Sequence, residues 1–190
     1  MKKYSDVLDT LFTHCENKTV LELGSFDGHF TKEIIKHKPK NVLSVEPDNK
    51  EAPLNANTFI GTANDFYKVN KTEFDVVVCM GLFYHLHSPI HLLEQIINIS
   101  NPKALIIETV NGNILNKEEY NLSGNAFSDR SINNPLPFNF GLHEKDFTML
   151  LESVGYVQTL LYEGYDDIDL TDWEESKQHC WSGVYEKKLI

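Results

Sequence analysis

Short aliphatic and β-branched runs along the chain alternate with stretches whose apolar positions recur every three to four residues. The runs at 19–23, 41–46, 58–61, 74–80 and 104–110 read as strands, the second stopped by Pro47. Residues 28–38 and 89–100 carry helical patterns between them. In the second of these, Ser88 is placed as N-cap and Pro89 as N1, with Ile90, Leu92, Leu93, Ile96 and Ile97 on one face. An opening helix is expected over 5–14, its place against the sheet undecided by pattern. Near-continuous apolar strands separated by helices predict an α/β fold, a mostly parallel sheet with both faces covered. Residues 144–154 are amphipathic and end at Gly155, a suitable C′ residue. Strands at 156–162 and 182–187 follow with no long helix between them, so an antiparallel hairpin is expected at the end of the sheet. The acidic segment 163–181 would be its loop. Residues 111–141 are rich in Asn with Pro and Gly and show little periodicity; they read as a lid inserted into one domain spanning 1–190.

The richest chemistry lies where strands end. The first strand runs Val20-Leu21-Glu22-Leu23 into Gly24-Ser25-Phe26-Asp27-Gly28, and a helical pattern begins at once. Gly24 suits a tight turn approached closely by a ligand, and Gly28 lets the helix start pack on the strand. The spacing is neither that of a dinucleotide fingerprint nor that of a P-loop. Glu22 would repel a phosphate and suit a sulfonium or ammonium. Glu46 ends the second strand where a carboxylate can take both ribose hydroxyls, with Pro47 beside it. Gly61-Thr62-Ala63-Asn64-Asp65 offers small and polar groups to an adenine edge. Met80 and Gly81 close the fourth strand and would border the same ligand.

Composition narrows the partners. The chain has 190 residues and a net charge of −11, and Arg130 is its only arginine. Seven acids and no base fall in 163–175. Nucleic-acid binders displace counterions with basic surface, so this balance disfavours RNA or an anionic membrane as partner. No apolar run is long enough to span a bilayer, and the start does not read as a secretory signal. Cys15, Cys79 and Cys180 are widely spaced and odd in number, which suits a reducing, cytoplasmic setting.

Taken together, these strand ends resemble class I S-adenosylmethionine-dependent methyltransferases over residues 18–162. Glu22 to Gly28 matches the family's first motif, Glu46 its second-strand acid, and Asp75 to Gly81 its fourth motif. The Gly24–Gly28 sequence, the run Gly81-Leu82-Phe83-Tyr84-His85-Leu86 before Ser88-Pro89, and Glu108-Thr109 are similar to one branch. That branch holds the carboxymethyltransferase of the tRNA wobble uridine and many small-molecule methyltransferases. The resemblance implies a Rossmann-like, seven-stranded, mostly parallel sheet whose last strand is antiparallel. It implies S-adenosyl-L-methionine as cofactor, with Glu22, Gly24, Ser25, Phe26 and Gly28 at the methionine half and turn. Glu46 and Pro47 would lie at the ribose, Thr62 and Ala63 at the adenine, Met80 and Gly81 at the border. Thr62 stands where relatives often carry Asp.

Direct methyl transfer needs an aligned nucleophile and sometimes a base. Tyr84 and His85 lie past the fourth strand on the expected acceptor side. His85 is read either as the base or as a ring that orients Tyr84 or caps the next helix. Glu108, Asn111 and Arg130 are candidates for acceptor binding, Arg130 as a clamp for a carboxylate or phosphate. His85, His87 and His91 lack a third ligand at metal spacing, so no metal is expected. Three functions stay open on these residues: methyl transfer to a small molecule, (carboxy)methyl transfer to a wobble uridine, and cofactor binding without turnover.

Overall fold

Strand β4, Val76–Met80, is buried at all five positions because helices cover both faces of the sheet around it. The computed structural model describes residues 3–48, 57–86, 88–110, 143–163 and 180–188. Seven strands form one sheet in the order β3-β2-β1-β4-β5-β7-β6. Here β1 is Thr19–Leu23, β2 Asn41–Glu46, β3 Asn57–Ile60, β5 Ala104–Val110, β6 Tyr156–Glu163 and β7 Cys180–Lys187. The pairs from β3 through β5 are parallel, whereas β7 is antiparallel to both β5 and β6. The terminal hairpin therefore folds back so that its second strand, not its first, joins β5. Strand β6 reaches Glu163 and β7 begins at Cys180, two residues before the expected Ser182.

Side chains of successive strand residues go to opposite faces and meet different helices. Val20, Val42, Val76, Val78 and Ile106 pack with Val7, Leu8, Leu11 and Phe12 of α1 (Tyr4–Phe12) and with Phe30 and Ile34 of α2 (His29–Lys36). This settles the place of the opening helix. Leu21, Val77, Leu105 and Ile107 pack on the other face with Phe66 of α3 (Ala63–Val69), with Leu92, Leu93 and Ile96, and with Phe147 and Leu151 of α5 (Glu144–Ser153). Truncating one of these fully buried aliphatic side chains to Ala costs about 2–5 kcal/mol.

The predicted helix over 89–100 divides. Regular α4, Pro89–Gln95, continues as a π-helical turn, Ile96–Ser100, which closes on Asn101 in the left-handed region. Pro89 sits in the first turn as expected, but Ser88 makes no capping hydrogen bond with its side chain. Two short elements lacked an apolar period long enough to read: α3, and the 3-10 turn Phe83–His85 after β4.

At the entry side of the sheet, Asp75 ties three strands together. Its Oδ2 accepts from Thr19 N (3.0 Å) and Thr19 Oγ1 (2.9 Å), and its Oδ1 accepts from Lys103 Nζ (2.7 Å). This fixes the lower ends of β1, β4 and β5 and so the height at which their carboxyl ends emerge.

Candidate cofactor and acceptor site

The carboxyl ends of β1, β2, β4 and β5, with the first turns of α2 and α3, converge on one edge of the sheet. At β1 the chain turns through Gly24, with φ +77°. A Cβ there would lie 3.2 Å from Leu82 Cδ1 in the loop after β4, so glycine permits both the turn and the close approach. Gly24 N and Ser25 N both reach Val45 O, at 2.9 and 3.3 Å, which anchors the turn to β2. Gly28, φ +78°, then starts α2 from the left-handed region.

Glu22 is buried and lies on the α1–α2 face, as the alternation from Val20 requires. Its Oε2 accepts from Thr31 Oγ1 of α2 (2.5 Å) and Ser44 Oγ of β2 (2.8 Å). Among the described residues, its Oε1 and the buried Ser25 Oγ have no hydrogen-bond partner. Burial raises the Glu22 carboxyl from about 4.5 to about 7; the Thr31 and Ser44 bonds oppose this, and Glu46 and Asp27 add to it. Thr31 and Ser44 were not singled out in the sequence. A lone serine in the apolar run Val42-Leu43-Ser44-Val45 was the available signal.

Glu46, also buried, clamps the two loops around it. Its Oε2 accepts from Phe26 N at 2.7 Å and its Oε1 from Asp48 N at 3.1 Å. Phe26 has φ +47°, a conformation a non-glycine residue holds only with compensation, which this bond to a carboxylate supplies. Pro47 is exposed beside it. After β3, the Thr62 hydroxyl caps α3 by accepting from Asp65 N (3.1 Å) and donates to Asp65 Oδ2 (2.7 Å). The Thr62 side chain is thus engaged in the helix start. Ala63 opens α3, and the helix itself leaves first-turn amides such as its own unpaired.

Past β4, Met80 is buried and Gly81 turns at φ +69°, its amide donating to Glu108 O at 3.0 Å. The Tyr84 hydroxyl lies 3.3 Å from where a Gly81 Cβ would stand. The His85 ring rests on Tyr84, with centroids 4.2 Å apart. His85 is exposed as a residue, yet desolvation of its ring by surrounding protein holds its pKa down, to about 4. The solvent-facing side tempers the shift, and the imidazole is neutral at pH 7 either way. Glu108 on β5 is fully buried, paired in register with Met80 and with Ser182. It accepts from the Tyr4 hydroxyl of α1 at 2.8 Å, a partner 104 positions away that no local pattern announces.

The sequence matches the family described as a methyltransferase domain over residues 1–179. The chain belongs to this methyltransferase family. It is 33% identical over 90 residues to a tRNA U34 carboxymethyltransferase of Desulforapulum autotrophicum, covering 42% of this chain and 28% of that protein. To the tRNA U34 carboxymethyltransferase of Helicobacter pylori strain J99 it is 26% identical over 112 residues, covering 52% and 42%. The matched part is less than half the length of these relatives. An S-adenosylmethionine-dependent methyltransferase from Mesorhizobium loti shares the fold, with a TM-score of 0.68, 10% identity and 96% of each chain covered.

The cofactor of the methyltransferase is S-adenosyl-L-methionine. The residues present suit it. Two buried oxygens without partners flank the Gly24 turn, and a carboxylate stands at the end of β2. The structure brings Glu22, Gly24, Ser25, Phe26, Gly28, Glu46, Pro47, Thr62, Ala63, Met80, Gly81, Tyr84, His85 and Glu108 to this edge. Asn111, Arg130, the segment 111–141 and His87 lie outside the described residues, as does 164–179 of the acidic segment. His91 is on the exposed side of α4, 3.7 Å from Glu94. No helix among the described residues is long and apolar enough to cross a membrane.

Proposed function

We propose that the methyltransferase acts on a small-molecule acceptor. The observation that carries this reading is the placement of charge along the strands. Residues entering the parallel strands include Lys18, Lys40, Lys71 and Lys103, and Lys187 ends the antiparallel β7 at that same edge. Residues leaving them include Glu46, Asp48 and Glu108, with Asp65 beyond β3. The edge that receives cofactor and acceptor is thus acidic among the described residues, whereas at the other end the lysines are mixed with Glu16, Glu73, Asp75 and Glu186. A polyanion would meet the wrong sign of charge at the point of transfer. The three cysteines are buried, and their wide spacing and odd number fit a cytoplasmic setting.

In this reading Glu46 holds the ribose hydroxyls, the Ala63 amide meets the adenine, and Glu22 with the Gly24–Gly28 turn faces the methionine half. Met80 and Gly81 form the wall toward the acceptor. Bound there, the cofactor supplies an electrophilic methyl carbon for in-line transfer. Tyr84 orients the acceptor, and His85, neutral at pH 7, takes the proton that the acceptor loses. Glu108 stands on the acceptor side of β5.

Wobble-uridine transfer is the second reading, supported by the two curated relatives. S-adenosylmethionine tritiated on its methyl group, and in parallel its S-carboxymethyl analogue tritiated on the transferred carbon, separate the two. Label should enter a fraction of metabolites below about 1 kDa and not tRNA lacking the wobble modification. Label in the tRNA, at a rate falling steeply with salt, would overturn the small-molecule reading.

A further inference from the structure

Glu22 is an unusual group to leave inside a cofactor site. It is 2% exposed, yet only one of its two oxygens is bonded among the described residues. Buried polar atoms are almost always paired, and an ionised carboxylate with one bare oxygen is costly. Protonating the carboxyl lowers that cost. A positive charge brought close would lower it instead in the ionised form.

The surroundings leave the choice open. From α2 the side chain meets a hydroxyl, Thr31, and from β2 another, Ser44. Glu46 of β2 and Asp27 of the turn add negative charge that favours the protonated form. The turn after α1 contributes the Cys15 thiol, pushed up to about 12 by burial and by Glu22. From β4 comes the Cys79 thiol, driven up further by burial. Both thiols stay neutral, so no cation among these groups pairs with Glu22. Two residues on, Gly24 begins the turn assigned to the methionine half.

We propose that Glu22 is a proton-exchanging counter-charge. Near neutral pH it is partly protonated in the cofactor-free protein and gives that proton to solvent when a sulfonium binds beside the Gly24 turn. The inference rests on the assignment of that turn to S-adenosylmethionine. Methyl transfer breaks the carbon–sulfur bond and leaves its electron pair on a neutral thioether, so Glu22 takes the proton back from solvent. Substrate and demethylated product are then distinguished by charge, through a side chain that need not move. By linkage, raising the pH should tighten binding of the sulfonium form and not of the thioether.

Titration calorimetry at pH 7 in phosphate and in imidazole buffer counts protons exchanged on binding. S-adenosylmethionine and S-adenosylhomocysteine each carry an ammonium that titrates, so the informative quantity is wild type minus Glu22→Gln. With a carboxyl half-protonated near pH 7, that difference should be about 0.3–0.5 proton released for S-adenosylmethionine and near zero for S-adenosylhomocysteine. In carboxyl-labelled wild-type protein, the 13C resonance of Glu22 should also move toward the carboxylate position with S-adenosylmethionine alone. Equal differences for the two ligands, or a carbon shift indifferent to the sulfonium, would overturn the proposal. The carbon measurement decides without the variant. If neither ligand binds, the cofactor assignment of the turn fails, and this inference falls with it. Binding of both with equal proton counts would leave that assignment standing and remove only the role of Glu22.

Discussion

Glu46 is the residue at which the cofactor assignment is most exposed to test. Its carboxylate accepts from two loop amides, Phe26 N at 2.7 Å and Asp48 N at 3.1 Å, and is 6% exposed, so solvent screens it little. Replacement by Gln keeps one carbonyl acceptor and turns an amide N–H₂ toward the other backbone donor. One charge-assisted bond is lost and two donors face each other, at a cost of about 1.5–3 kcal/mol. Part of this falls on the loops, since Phe26 at φ +47° loses its partner or its charge assistance. The part specific to the ribose appears only in binding. Calorimetry should show S-adenosylmethionine affinity reduced by about 1–3 kcal/mol, or about 5- to 150-fold. Urea denaturation of the cofactor-free variant measures the loop share separately. Affinity within twofold of wild type, in a variant that folds, would refute the ribose role and with it the reading of this edge as an adenosyl site.

Other perturbations follow from single contacts. Burial raises the Glu22 carboxyl from 4.5 to about 7, so the folded protein binds this proton more tightly than the unfolded chain. Its contribution to stability is complete below about pH 4.5 and is lost as pH rises through 7, a decline of roughly 3 kcal/mol. Glu22→Gln should flatten that decline in urea titrations at pH 5 and 8; equal slopes in both proteins would count against the buried acid. Asp75 behaves oppositely. Lys103 and the Thr19 groups hold its carboxyl well below the usual value, so its contribution is present above about pH 3.8 and lost as pH falls through the folded value. Asp75→Asn should cost about 1 kcal/mol at pH 7, kept small by solvent at a partly open pair, and weaken the acid dependence below pH 4. Gly24→Ala puts a Cβ on a φ of +77° and 3.2 Å from Leu82 Cδ1. Thermal melting should show about 1–2 kcal/mol lost, and a smaller shift on adding cofactor; an unchanged shift would remove the turn from the site.

The sheet was readable because its strands are buried on both faces and so appear as apolar runs. The hairpin at its end was readable because no helix-length pattern separates the last two strands. What escaped was short or distant. Seven residues of α3 give too few turns for a period, and its identity as a helix rests on Thr62 and Asp65 capping each other. Glu22 was visible as an acid before a glycine, but its partners Thr31 and Ser44 are joined to it only by the crossing of α2 over β2. The Tyr4–Glu108 bond spans the chain. The motif alone points Glu22 at the ligand directly, whereas the structure shows a buried carboxyl bonded first to the protein. Glu46 likewise organises two loops before it can serve a ribose.

The polarity of charge along the sheet has a structural cause as well as a functional use, and magnitudes separate them. Helices α2, α3, α4 and α5 present their amino ends at the carboxyl edge of the strands, each equivalent to about half a positive charge. Asp27 and Asp65 answer these directly, Asp27 Oδ1 accepting from His29 N at 2.9 Å and Asp65 lying in the first turn of α3. Glu144 and Asp146 do the same in the first turn of α5, so first-turn acids already offset the helix ends, with Lys68 neutralising much of Asp65 at 2.7 Å. Glu46, Asp48 and Glu108 remain in excess of what the helices require. If only helix electrostatics had set the pattern, the edge would be close to neutral. The surplus sits around the proposed adenosyl and acceptor positions. That is where a cationic cofactor gains from it and a phosphate backbone would lose.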